Sequence, residues 1–242
     1  EPYLSQIGLL LIMTVNPGFG GQPFIHEMIP KVQQAAAWRR ERGLGYRIEV
    51  DGGINQETAV ECARAGADTF VSGTALFGQW LAGQLAMARE LAYFYAPGVN
   101  SYKRYQSGSF APTRIAAGWD NRTCGFRLCG EGGGFRVENR IPGADANPYL
   151  AFAATIAAGL HGIASGLKAP KLYEGNAYED ATLPQVPKTL REAIAELERS
   201  KVAPTAFGER VIEHYLHTAR LEQGAFDQVV TDWELARNFE RI

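Results

Sequence analysis

Three apolar runs, each closed by a polar or glycine-bearing loop and followed by a helical pattern, fill the first third of the chain, and nothing like them recurs after Gly78. The first, residues 7–15, is hydrophobic on both faces and leads into a Gly/Pro loop at 16–23, then an amphipathic helical pattern over 25–42. The second, Arg47-Ile48-Glu49-Val50-Asp51, runs into Gly52-Gly53 and a helix over 56–65 that Gly66 stops. The third is Thr69-Phe70-Val71-Ser72. Apolar strands alternating with helices predict a parallel sheet buried on both faces. Three βα units cannot close a barrel of eight, so the expectation is a partial (βα) barrel with bare edges, exposed apolar surface and self-association.

Beyond residue 78 the texture changes. A single long helix is expected over 79–95, with Arg- and Gly-rich strands and loops over 100–118 and 120–140. Pro148 opens an Ala-rich helix to residue 163, the usual place for a first-turn proline. A Pro-rich connector over 170–187 leads to helices at 190–199 and 209–237, whose charged residues alternate with a Leu/Ile stripe as on a solvated face over a packed one. The fold class is therefore α/β plus α+β, in two domains, 1–78 and 79–242.

Charge and cysteine usage narrow the partners. A formal net charge of −2 gathers neither nucleic acid nor anionic membrane. The run at 7–15 is too short to cross a bilayer. Three cysteines, Cys62, Cys124 and Cys129, are too few and too odd for a secreted disulfide framework, and read as small buried hydrophobes. No basic leader precedes the first strand, so a cytoplasmic location is expected; the chain's opening at Glu1-Pro2 reads as a cut edge.

Two constellations carry chemistry. At the ends of the three strands, Gly20 and Gly21, Gly52 and Gly53, and Gly73 let backbone approach a ligand and leave N–H groups for anionic oxygens, or else simply make turns. Asp51, at the end of the second strand, could hold a metal, move a proton, or cap the next turn. Farther on, Arg104, Arg114, Arg122, Arg127, Arg136 and Arg140 are interleaved with aromatics and glycines, and in strand geometry Arg136, Glu138 and Arg140 share a face. That pattern suits a metal–nucleotide site, with carboxylate on the cation and guanidiniums on the phosphoryl group, or equally an exposed strand laced with salt bridges.

Residues 13–22 (MTVNPGFGGQ), Glu49-Val50-Asp51-Gly52-Gly53-Ile54 and Val71-Ser72-Gly73 resemble, in order and spacing, the signature segments of ribulose-phosphate 3-epimerases. The resemblance implies a sugar-phosphate substrate, a divalent metal (Zn²⁺, Fe²⁺ or Mn²⁺) held by Asp51 as an acid/base carboxylate, and a phosphate site at Gly20, Gly21, Gly52, Gly53 and Gly73. The family's second aspartate and two metal-binding histidines are not in this chain, and His26 sits on the helix side of its loop. Epimerisation needs an acid and a base on opposite faces, so catalysis is not expected from this part.

Asn100-Ser101-Tyr102-Lys103-Arg104, Asn121-Arg122-Thr123, Arg136-Val137-Glu138-Asn139-Arg140 and Asn147-Pro148-Tyr149-Leu150 resemble the C-terminal catalytic motifs of the glutamine synthetase family, of the glutamine or gamma-glutamylpolyamine synthetase type. The resemblance runs to the end of the chain and takes in Glu174-Gly175-Asn176-Ala177-Tyr178 and Thr231-Asp232-Trp233. It implies a ligase joining glutamate to ammonia or an amine through gamma-glutamyl phosphate, with ATP and Mg²⁺ or Mn²⁺. Carried over, Glu138 is a metal ligand, Arg104 and Arg140 contact glutamate, Arg122 and Arg127 the phosphoryl group, and Arg136 the nucleotide. Where the family has Tyr-Glu-Ala-Pro, this chain has Ser109-Phe110-Ala111-Pro112, which points to a larger amine such as a polyamine. The family's Glu-x-Glu metal ligands and β-grasp domain are not in the chain. The composite is expected to carry the signatures of two enzymes and neither activity by itself, leaving a non-catalytic phosphate- or nucleotide-binding chain as the third reading.

Overall fold

β1 (Leu9–Met13), β2 (Arg47–Asp51) and β3 (Thr69–Val71) form a parallel sheet in that order, with Leu10 opposite Ile48 and Val50 opposite Phe70. α1 (Ile29–Glu41) and α2 (Gln56–Ala65) lie between the strands in sequence. The computed structural model describes residues 2–18, 20–130 and 134–239, so Phe19 of the first glycine loop lies outside the described residues. The alternation along the strands assigns the two faces. Ile12, Ile48 and Val50 pack with Val32 and Ala35 of α1 and with Cys62 and Ala65 of α2. Each such large side chain withdrawn from water is worth about 1.5–3 kcal/mol. Leu9, Leu11 and Val71 point the other way and stay exposed. The sheet is covered on one face, not on both as the apolar runs suggested, because a strand's composition does not report what lies above it.

Local signals explain the element ends. Asn55 caps α2, its Oδ1 accepting from Glu57 and Thr58 N–H while Thr58 Oγ1 accepts from Asn55 N–H. Gly66 closes the helix at φ 110°. Arg39 of α1 donates to the Tyr46 and Gly66 carbonyls and pairs with Asp68, tying helix to strand ends. A 3₁₀ turn, His26–Met28, replaces the first turn of the expected helix over 25–42.

The chain divides into two compact units, Glu1–Gln79 and Trp80–Ile242. α3 (Thr74–Met87) begins before that boundary and ends well before residue 95; a separate short helix, α4 (Ala92–Tyr95), follows, so the expected single helix over 79–95 is two. In the second unit β4 (Arg114–Trp119) and β5 (Cys124–Cys129) pair in parallel across the link 120–123, and β6 (Arg136–Asn139) pairs antiparallel with β5. In the link Asp120 adopts φ 46°, and Asn121 Oδ1 accepts from Thr123 N–H and Oγ–H. The architecture is thus mixed α/β, one small parallel sheet and one small mixed sheet.

The helical layer of this unit contains α5 (Pro148–Ala164), α6 (Leu190–Arg199), α7 (Val202–Phe207), α8 (Glu209–Asp227) and α9 (Asp232–Asn238). α6 buries Leu190, Ala193, Ile194 and Leu197, a clean helical stripe. Phe94 of α4 meets Phe207 at 5.0 Å and Tyr215 at 5.5 Å between ring centroids. Arg89 and Glu196 form a half-buried ion pair at 2.7 Å. α5 buries its small residues, Ala151, Ala154, Ala158, Gly159 and Gly162, while Tyr149, Phe152, Ile156 and Leu160 are exposed. α3 crosses it closely, Gly83 lying against the backbone of Ala158 and Gly162. The expected helix over 209–237 is broken at 228–231, where Thr231 starts α9 with its own capping box. Among the described residues no helix is long and apolar enough to cross a membrane.

Candidate functional site

β5 and β6 place Arg127 directly opposite Glu138, and Arg136 follows on the same face two residues before it. The side chains meet accordingly. Arg127 Nη1 donates to Glu138 Oε2 at 2.9 Å, and Arg136 Nη2 donates to Glu138 Oε1 at 2.9 Å. Asp120, swung round by its left-handed backbone, takes Arg127 Nε at 2.9 Å from the other side. The result is a row of alternating charge, Asp120, Arg127, Glu138, Arg136. A hydrogen bond from Arg127, opposed by burial and reinforced by further hydrogen bonds from Arg136 and Cys129, holds the Glu138 carboxyl down at about 2. The same two carboxylates push Arg127 above its ordinary value.

Arg140 lies just past the end of β6 and lines the same cavity as Glu138 without joining its row of ion pairs. It turns to the backbone instead, donating to the Arg122 carbonyl and, at 2.7 Å, to the Phe110 carbonyl. Burial lowers its pKa. Arg104, at the end of a 3₁₀ turn (Val99–Arg104), donates to the carbonyls of Arg140, at 3.2 Å, and Ile141, and its guanidinium lies 4.8 Å from the Tyr105 ring centre. Arg104, Glu138 and Arg140 line one open cavity of about 620 Å³ together with Lys103, Phe110 and Asn139. Arg122 is exposed and lines a second cavity of about 550 Å³ with Trp119, Asp120 and Tyr173. Of the arginines singled out in the sequence, Arg104 and Arg140 line the first cavity, Arg127 and Arg136 reach it through Glu138, and Arg122 faces the second. Asp120 and Lys103 were missed. Lys103 stood beside Arg104 in its motif, whereas Asp120's part depends on a backbone angle no spacing announces.

A divalent cation wants several oxygen ligands. Among the described residues no three His, Cys, Asp or Glu side chains converge, and Glu138 is already clamped by two guanidiniums. These residues do not fit a divalent-metal site of their own. Asp51 in the first unit likewise offers one carboxylate.

At the strand ends of that unit the glycines divide. A Cβ on Gly52 would lie 2.4 Å from Val15 and one on Gly53 2.7 Å from the Phe24 backbone, so the packing of their own loops requires these two. Gly20, Gly21 and Gly73 face open space. Thr14 ties two of the loops together, its N–H donating to the Asp51 carbonyl at 2.7 Å and its hydroxyl reaching the Gly52 carbonyl at 2.5 Å. His26 pairs with Glu61 of α2 at 3.0 Å, away from the glycine loop.

Comparison with known proteins matches residues 58–238 to the family model "Glutamine synthetase, catalytic domain" and residues 1–77 to "Ribulose-phosphate 3 epimerase family". A gamma-glutamylethanolamide synthetase of Streptomyces coelicolor is 56% identical over 163 residues, covering 67% of this chain and 35% of that protein. A glutamate–isopropylamine ligase of a Pseudomonas species is 40% identical over 67% of this chain and 36% of its own length. A gamma-glutamylputrescine synthetase of Escherichia coli is 33% identical over 83% and 42%. Among solved structures, a GmaS/ADP complex superposes with a TM-score of 0.61 at 28% identity, covering 70% of this chain and 42% of that one. The chain spans about a third of the length of the first curated relatives it matches.

Proposed function

The chain belongs to the glutamine synthetase family, and on that premise we propose that residues 80–242 are the anion-holding part of an ATP-dependent ligase that joins glutamate to an amine. The observation that carries this is that Arg104, Arg140 and Glu138 line one cavity, with Arg127 and Arg136 hydrogen-bonded to Glu138. In the reaction the family implies, the glutamate γ-carboxylate takes the terminal phosphoryl group of ATP, releasing ADP. The amine nitrogen then forms the amide C–N bond as the acyl C–O bond to phosphate breaks, and the amine gives up a proton. Arg104 and Arg140 bind the glutamate carboxylates, planar forks suited to planar anions. We assign Arg122, from the second cavity, and Arg127 to the phosphoryl oxygens, and Arg136 to the nucleotide. The family's Mg²⁺ or Mn²⁺ would find here Glu138 as a single ligand, so we propose that this 242-residue chain binds glutamate without completing turnover.

The test is ATP-dependent phosphate release with glutamate and ammonium or an amine, beside calorimetric binding of glutamate. Binding that disappears in Arg104→Ala, without phosphate release, is the expected result. Turnover that is lost in Glu138→Ala would overturn the inactivity; absence of glutamate binding in a folded chain would overturn the function.

A second reading applies to residues 1–79, favoured by the open space at Gly20, Gly21 and Gly73. We take this unit to be a partial barrel that binds a sugar phosphate through backbone N–H groups, with Asp51 alone unable to act as acid and base together. Ribulose 5-phosphate should perturb the amides of these glycines in NMR spectra without being epimerised; epimerisation abolished by Asp51→Asn would refute the non-catalytic part.

A further inference from the structure

The loop that departs from its family pattern is held in one shape by its neighbours. Phe110 has φ 61°, a backbone region bulky residues avoid and that persists only where the surroundings over-determine it. They do so here on every side. Ser109 Oγ donates to the Gln106 carbonyl at 2.6 Å, Arg140 donates to the Phe110 carbonyl at 2.7 Å, and Tyr178 Oη donates to the Ala111 carbonyl at 3.0 Å. The ring, 65% exposed, lines the same cavity as Arg104 and Arg140. Around that cavity stand three cations, Lys103, Arg104 and Arg140, and one carboxylate, Glu138, whose two oxygens are already taken by guanidiniums. Once glutamate's carboxylates occupy the arginines, no free carboxylate among the described residues of this wall is left to balance a second ammonium. Phe110 is the one large apolar side chain among them, beside the neutral Gln106, Ser109, Ala111 and Asn139.

We propose that Phe110 makes the cavity select a primary amine with a short uncharged tail, against ammonia on one side and against diamines and polyamines on the other. The inference rests on the ligase reading above and replaces the polyamine expected from the motif alone. An alkyl tail packs on the ring and leaves water; a terminal ammonium must be desolvated among like charges with no free carboxylate, a cost that attraction to the ring face offsets only in part.

The experiment is titration calorimetry of the whole chain at neutral pH with four ligands: glutamate, glutamine, gamma-glutamyl-propylamide and gamma-glutamyl-(3-aminopropyl)amide. The propylamide should bind about tenfold more tightly than glutamine, as burial of two methylenes gives, and more tightly than the aminopropyl compound. Phe110→Ala should abolish the advantage over glutamine and Phe110→Leu keep most of it. Phe110→Gly, which relaxes the backbone angle while removing the ring, should behave like Phe110→Ala and so separates a lost wall from a disturbed loop. If glutamate binds but the propylamide has no advantage, or the aminopropyl compound binds better, the selectivity is refuted and the ligase reading stands. If none of the four binds, both fall.

Discussion

Two glycine-to-alanine changes in helices of the second unit should move stability in opposite directions. Gly83 of α3 faces α5 so closely that an added Cβ would lie 2.1 Å from the Ala158 carbonyl oxygen and 2.7 Å from the Gly162 nitrogen. Both obstacles are backbone, so no side-chain rotation relieves them and the helices must part. Overpacking of this kind costs about 1–3 kcal/mol, and a backbone obstacle belongs at the upper end. Alanine's better helix propensity offsets about 1 kcal/mol, leaving a net loss of roughly 1–2 kcal/mol for Gly83→Ala. Gly224 of α8 meets nothing within 4 Å, so Gly224→Ala keeps only the propensity gain, about 1 kcal/mol. Urea unfolding followed by circular dichroism separates the two, because a difference of about 2–3 kcal/mol at a slope of about 2 kcal/mol/M displaces the midpoints by roughly 1 M or more. A Gly83→Ala midpoint at or above that of the parent would refute the close crossing of α3 and α5.

Four other outcomes test the geometry elsewhere. With its folded pKa held at about 2 by Arg127 and Arg136, Glu138 contributes stability in full above its ordinary value of 4.5 and loses it as pH falls from there toward 2; Glu138→Gln should flatten that limb, and an NMR titration midpoint at the ordinary 4.5 in the folded chain would contradict the clamp. Asp68 is pushed up by burial but held lower still by Arg39, Thr69 and the Ile48 N–H, so its share of stability is lost as pH falls below 3.8; Asp68→Asn should destabilise the first unit at neutral pH, read from amide exchange at Ile48, and equal exchange in the two proteins would contradict the tie. Cys124 is fully buried with its thiol pushed up to about 11, chiefly by burial, so a thiol reagent at mildly alkaline pH should label it only as fast as the chain opens; labelling at the rate of a free thiol would place it at the surface. The exposed Phe152, Ile156 and Leu160 of α5 and Leu9, Leu11 and Val71 of the first sheet should make the chain self-associate, with Phe152→Ser plus Ile156→Ser lowering the mass seen by light scattering; a monomeric parent at micromolar concentration would refute this.

What could be read from the sequence was whatever is encoded within a short local window. Strand β2 was legible because Arg47–Asp51 runs into Gly52-Gly53, and α2 because Gly66 marks its end. The break between α8 and α9 is equally local, a β-branched stretch followed by the Thr231/Glu234 capping box. What failed was non-local. Leu9 and Leu11 look like core residues whether or not anything covers them, and only the tertiary arrangement shows that their face is bare. The arginines could be named from their motifs, but their partners could not, since Arg127 is neutralised by Asp120 only because residue 120 turns back at φ 46°.

The same limit explains why two families' patterns overlap in one stretch. The glutamine synthetase match begins at residue 58 and the epimerase match ends at 77, so most of α2, all of β3 and the first turn of α3 are claimed by both. That stretch is an amphipathic helix, a glycine stop and a short apolar strand, a pattern many folds share. It carries no arginine of the cavity and, apart from Gly73, no member of the glycine loops. Where chemistry is proposed, at Gly20 and Gly21 on one side and from Arg104 to Arg140 on the other, the two matches do not overlap. Assignment of function to each segment therefore rests on the site residues, and the shared helix and strand argue for neither family.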